Sequence, residues 1–71
     1  MKVLTVASKL KQTISSLKGV ESTLRIYSLQ AQNKEFKVVY KNAIKDINEV
    51  IQSLQEREKA IELEEPQYRS N

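Results

Sequence analysis

Cysteine, histidine and tryptophan are absent from this 71-residue chain, and glycine and proline occur once each. Each absence excludes something. Without cysteine there is no disulfide and no thiolate metal site, and nothing argues for an oxidising compartment. Without histidine the commonest metal ligand and general base is missing. One glycine and one proline leave few places for turns, which fits long helices with few connections. No segment keeps strict polar and apolar alternation over strand length, so extended sheets are not expected. Aliphatic runs stop at two residues, as at Val38-Val39, too short to span a membrane. Near the start, Lys9 and Lys11 interrupt the apolar residues too early for a signal-peptide core. The expected location is intracellular, in the cytoplasm.

What is present is helical periodicity. In the second half, apolar residues fall at Phe36, Tyr40, Ala43, Ile47, Val50, Leu54 and Ile61. The spacings are four and three in alternation up to Leu54, then a gap at Arg57, and they make a heptad seam. Val39, Ile44 and Ile51 widen it to a stripe of roughly 140°. A two-helix contact needs less, so this helix should meet more than one neighbour. In the first half, Val3, Ala7, Leu10, Ile14, Leu17, Val20, Leu24, Tyr27 and Ala31 repeat in the same way. Gly19 lies inside that run and costs roughly 1 kcal/mol relative to alanine. It reads as a small residue that lets a neighbouring helix approach, or as a hinge.

The two stripes are out of phase. On one continuous helix their directions differ by roughly 140°, which would leave two apolar sides facing apart. A reversal of the chain near residues 30–33 brings both to one core. Asn33 suits that reversal. It is a good N-cap, it tolerates the left-handed conformation that ends helices, and Glu35 follows in the first turn. The predicted fold is all-α. It is an antiparallel hairpin of two long amphipathic helices, about 4–30 and 34–64, in a single domain. The arms of about 28 and 31 residues, roughly 42 and 46 Å, are matched in length. Dimerisation into a four-helix bundle would bury the wide stripe. The predicted dimer or core face is Leu10, Ile14, Leu17, Leu24, Phe36, Tyr40, Ile47, Val50, Leu54 and Ile61. A bend at Gly19, giving a three-helix monomer, is the rival. Pro66 ends the second helix, and an extended tail is expected over 66–71. Tyr68 either folds back on the bundle end or anchors a partner.

The net charge of +3 is small and unevenly shared. Lys11, Lys18 and Arg25 are seven apart and line one edge of the first helix. That edge is expected to run beside Asp46, Glu49 and Glu56, in salt links each worth well under 1 kcal/mol when exposed. The alternative is a footprint for nucleic acid or an anionic membrane. Nucleic acid is disfavoured, since no aromatic residue interleaves the basic edge. A membrane surface needs an exposed apolar face beside the basic one. No nucleophile–base pair, phosphate loop or Glu-x-x-His metal pattern is present. No enzyme activity, cofactor or metal is therefore expected.

Three stretches carry a family resemblance: "TVASKLKQTISSLKG", "TLRIYSLQAQNKE" and "LEEPQY". The chain resembles the small proteins of domain-of-unknown-function family sixteen-fifty-seven. These come from endospore-forming bacteria of the Bacillus and Clostridium type and are often encoded beside SpoVA-type spore membrane proteins. Similar domains occur fused to a membrane-protein domain. The resemblance implies sporulation or the spore as the setting, and no mechanism. It also draws attention to Pro66 and Tyr68 within "EEPQY". The expected function is a non-enzymatic, self-associating interaction module, a homodimer that could dock on a spore membrane protein. Its candidate partner contacts are Lys11, Lys18, Arg25, Pro66 and Tyr68. The alternative is a basic-faced binder of DNA or of an anionic membrane surface.

Overall fold

A computed structural model of the chain describes the backbone of residues 2–64 and the side chains of residues 6–63. The expected tail over 66–71, with Pro66 and Tyr68, lies outside the described residues. Two helices, α1 (Lys2–Gln30) and α2 (Lys34–Glu64), pack on each other along their length. They form an all-α antiparallel hairpin, a rod with principal extents of 50 × 15 × 15 Å.

The α1 helix runs unbroken through Gly19, so the rival three-helix arrangement does not form. Nor does Gly19 mark a close approach of α2, because a Cβ built there meets nothing within 4 Å. The polar residues beside it are satisfied by the helix itself. The Ser22 hydroxyl donates to the Lys18 carbonyl and the Thr23 hydroxyl to the Gly19 carbonyl, each at 3.1 Å.

The reversal occupies Ala31, Gln32 and Asn33. At the end of α1, the Ala31 amide donates to the Tyr27 carbonyl at 2.9 Å. At the start of α2, Asn33 Oδ1 accepts the Glu35 amide at 2.7 Å and the Phe36 amide at 3.4 Å. The Asn33 carbonyl accepts the Lys37 amide at 3.1 Å, the first hydrogen bond of the new helix. Glu35 stands in the first turn, where its charge meets the positive end of the dipole. No described non-glycine residue has a positive φ, so capping closes the turn and left-handed backbone plays no part.

The contact between the helices is narrow. Ala7 and Ile14 of α1 and Ile44 and Ile51 of α2 are the buried hydrophobic residues. Leu10, Leu17, Leu24, Tyr40, Ala43, Ile47, Leu54 and Ile61 are half-buried around them. Near the turn the rings of Tyr27 and Tyr40 meet at 6.2 Å between centroids, tilted by 55°. Of the expected dimer or core face, Phe36 and Val50 lie outside the contact between the two helices and are exposed in the hairpin. Ile44 and Ile51, expected on the flank of the stripe, take the centre. The reason is rotational. The stripe on α2 is wider than one neighbour can cover. α1 covers the line of Ile44 and Ile51, and the other edge of the stripe stays open.

Candidate interaction surfaces

The hairpin has two unlike sides, and helical register sets both. In α1, Val6, Thr13, Val20 and Tyr27 recur every seven residues, rotated from the buried line by roughly a quarter turn. In α2, Phe36, Ala43 and Val50 recur likewise, with Val39 beside them. In antiparallel helices that face each other, equal rotation in the same sense leads to the same side. The two lines therefore adjoin. Val6, Val20 and Tyr27 of α1 and Phe36, Val39 and Val50 of α2 are all exposed there. At the turn end of this side, Tyr27, Gln30, Ala31, Phe36 and Tyr40 line a shallow hollow.

Rotation in the opposite sense leads to the polar side. There a groove between the helices is lined by Lys18, Glu21, Ser22, Asn48, Ile51, Gln52 and Gln55. Towards the turn it gives way to a second groove, lined by Arg25, Ser28, Leu29, Lys41 and Ile44. Lys11, Lys18 and Arg25 all stand on this side, as their seven-residue spacing requires.

Their partners differ from expectation. Lys11 Nζ lies 3.8 Å from Glu58 Oε2 and 3.6 Å from Glu62 Oε2, across the open end of the hairpin. Arg25 turns to its own helix, where Nη2 and Nε donate to Glu21 Oε2 at 2.7 and 3.1 Å. Lys18 makes no ion pair among the described residues. Asp46, Glu49 and Glu56, expected beside this edge, are exposed elsewhere on α2. Glu56 sits at the right height along the rod, but it is roughly 200° around the helix from Glu58. The useful signal was the line Ile44, Ile51, Glu58. It repeats every seven residues and ends in a carboxylate that meets Lys11.

Glu21 is the most enclosed charge of the contact, with its side chain 17% exposed. The hydrogen bonds from Arg25 hold its carboxyl below the ordinary glutamate value, against the opposing effect of burial. Asn48 of α2, facing the same groove, and the Lys18 charge lower it further. This is the arrangement of a structural ion pair. The carboxylate is committed to a guanidinium one turn away and is not poised to take a proton at neutral pH.

Among the described residues, no helix is long and apolar enough to cross a membrane. No curated protein and no solved structure matches the chain. The family model described as Protein of unknown function (DUF1657) does match, over residues 10–57. The match takes in the Lys11, Lys18 and Arg25 edge, the turn and most of α2, and it stops before the "EEPQY" stretch. Since it covers more than half of the chain, the protein belongs to the DUF1657 family.

Proposed function

We propose that the protein is a non-enzymatic helical module that self-associates, with two hairpins pairing through their apolar sides as a four-helix homodimer. One observation carries this reading: Val6, Val20, Tyr27, Phe36, Val39 and Val50 are all exposed on one side of the hairpin, most of them gathered towards the turn, with Thr13 between Val6 and Val20. Exposed apolar side chains gathered on one side mark an interaction site more often than apolar residues scattered singly. A second copy fits it because the face runs along both helices of a rod, and a four-helix bundle needs such a face on each hairpin.

Magnitudes make the pairing plausible and also bound it. Each of these side chains is about half exposed, so covering it yields about 1 kcal/mol, half of a full burial. Six from each protomer give roughly 10 kcal/mol, against an association cost of about 4–15 kcal/mol. Gain and cost are of the same order. The dimer is therefore concentration-dependent, and one charge placed on the face suffices to separate it.

Sedimentation equilibrium from micromolar to millimolar protein tests the reading. A mass that rises to twice 8.2 kDa is expected, with Val50→Glu monomeric and still helical. A monomer throughout the range would remove the four-helix model. The setting, sporulation or the spore, and docking on a spore membrane protein belong to the same proposal and come from the family resemblance. A pull-down from sporulating cells with the full chain and with a chain ending at Glu65 separates bundle contacts from tail contacts.

A further inference from the structure

The positive charge of the turn half gathers on the side opposite the apolar face. Lys34, Lys37, Lys41 and Lys45 are spaced by three, four and four residues, so they keep to one side of α2, and all are exposed. At 1.5 Å per residue they span roughly 17 Å. Arg25 and Lys41 line the same shallow groove, which joins this row to the Lys18 and Arg25 edge of α1. Among the described residues, no carboxylate lines this groove; Glu21 lines the adjoining one with Lys18 and is bound to Arg25. Glu35 and Glu49, fourteen residues apart, fall on the outer edge of α2, and Asp46 lies between that edge and the apolar side.

Leu29 stands in the middle of this basic surface. It lines the groove with Arg25 and Lys41, and it is 83% exposed. An isolated exposed leucine needs no explanation. A leucine walled by cations, on the side away from the apolar face, has a specific chemistry. We propose that the turn half of this side docks on an anionic lipid surface, with Leu29 entering the interfacial layer and Lys18, Lys34, Lys37, Lys41 and Lys45 meeting the lipid phosphates. A cluster of four to eight cations with an apolar residue among them is the composition that binds such surfaces reversibly. Nucleic acid fits less well. Leu29 has nothing to offer a phosphodiester backbone, and the described aromatic residues, Tyr27, Phe36 and Tyr40, line the hollow on the apolar side. This docking does not rest on the dimer, since the two sides are opposed.

The test is flotation of the full chain with two kinds of vesicle, pure phosphatidylcholine and phosphatidylcholine mixed with an equal part of phosphatidylglycerol. Retention is expected on the anionic vesicles alone, with loss on raising the salt to about 0.5 M. Lys37→Glu with Lys41→Glu should weaken retention by about tenfold or more. Leu29→Ser should weaken it several-fold without removing the salt dependence. Lys9→Glu with Arg57→Glu, the same charge change elsewhere on the rod, should do much less. All these side chains are exposed, so circular dichroism should show unchanged helicity. Val50→Glu should still float, which separates this proposal from self-association. No retention on anionic vesicles overturns it, and so does equal loss in the two charge-reversed pairs. Salt-dependent binding to duplex DNA that ignores Leu29→Ser and exceeds binding to vesicles assigns the face to nucleic acid instead.

Discussion

Val50 and Ile51 are neighbours in sequence and point to different surroundings: Ile51 is 6% exposed against α1, while Val50 is 48% exposed on the open apolar side. Their substitutions should separate the two contacts of the protein. Ile51→Ala removes buried volume from the hairpin seam and is expected to cost about 2–4 kcal/mol in urea denaturation. Val50→Ala should change the unfolding of dilute protein by less than about 1 kcal/mol, yet raise the dimer dissociation constant measured by sedimentation. If both variants lose stability equally when dilute, the assignment of the two edges fails.

Asn33 holds the first amides of α2, and removing its side chain leaves them uncapped. Asn33→Ala is expected to cost about 1 kcal/mol, and Asn33→Asp to keep or slightly raise stability because the charge also meets the dipole. Thermal denaturation of the two variants checks both signs. A still stricter test adds Gln32→Ala to Asn33→Ala, which favours helix through the turn. That pair should destabilise the hairpin, and a gain in stability would contradict the reversal.

Gly19 lies inside α1 with free space around it. Gly19→Ala should therefore stabilise the protein by about 0.5–1 kcal/mol, through helix propensity and a less flexible unfolded chain. A rise in melting temperature is expected. A fall would mean that a neighbour beyond the hairpin needs the missing side chain.

Glu21 gives the protein a dependence on acid. Its carboxyl is held below its ordinary value of 4.5 in the folded state, so the unfolded chain binds the proton more readily. The associated stability is present above that ordinary value and is lost as pH falls through the lowered, folded-state value. Comparing wild type and Glu21→Gln by denaturation between pH 6 and pH 2 should show a steeper acid loss in wild type. Parallel curves would show that Arg25 does not hold the carboxylate in solution.

Much of the fold was legible because phase is a quantitative property of a sequence. The stripes on either side of residues 30–33 could not share one helix, and Asn33 had the chemistry to start a second. The rest was illegible for a physical reason. Periodicity locates a stripe but does not say which part of a wide stripe a neighbour takes, so it did not separate Phe36 and Val50, read as dimer or core face, from Ile44 and Ile51, which hold the centre of the hairpin contact. The same gap misled the ion pairs. Setting the Lys11, Lys18 and Arg25 edge beside Asp46, Glu49 and Glu56 took no account of rotation about α2, and rotation delivers Glu58 and Glu62 to Lys11. The basic row of Lys34, Lys37, Lys41 and Lys45 was readable as a spacing. Its junction with Arg25 and Leu29 exists only once the chain has turned back.

The opposition of the two sides has a consequence for valency. If two hairpins join through the apolar face, their basic sides point away from each other across the bundle. One particle then carries two equivalent cationic platforms that cannot both rest on a single flat surface. Such a particle gains no avidity from lying on one sheet of charge, but it can hold two sheets at a spacing set by its own thickness.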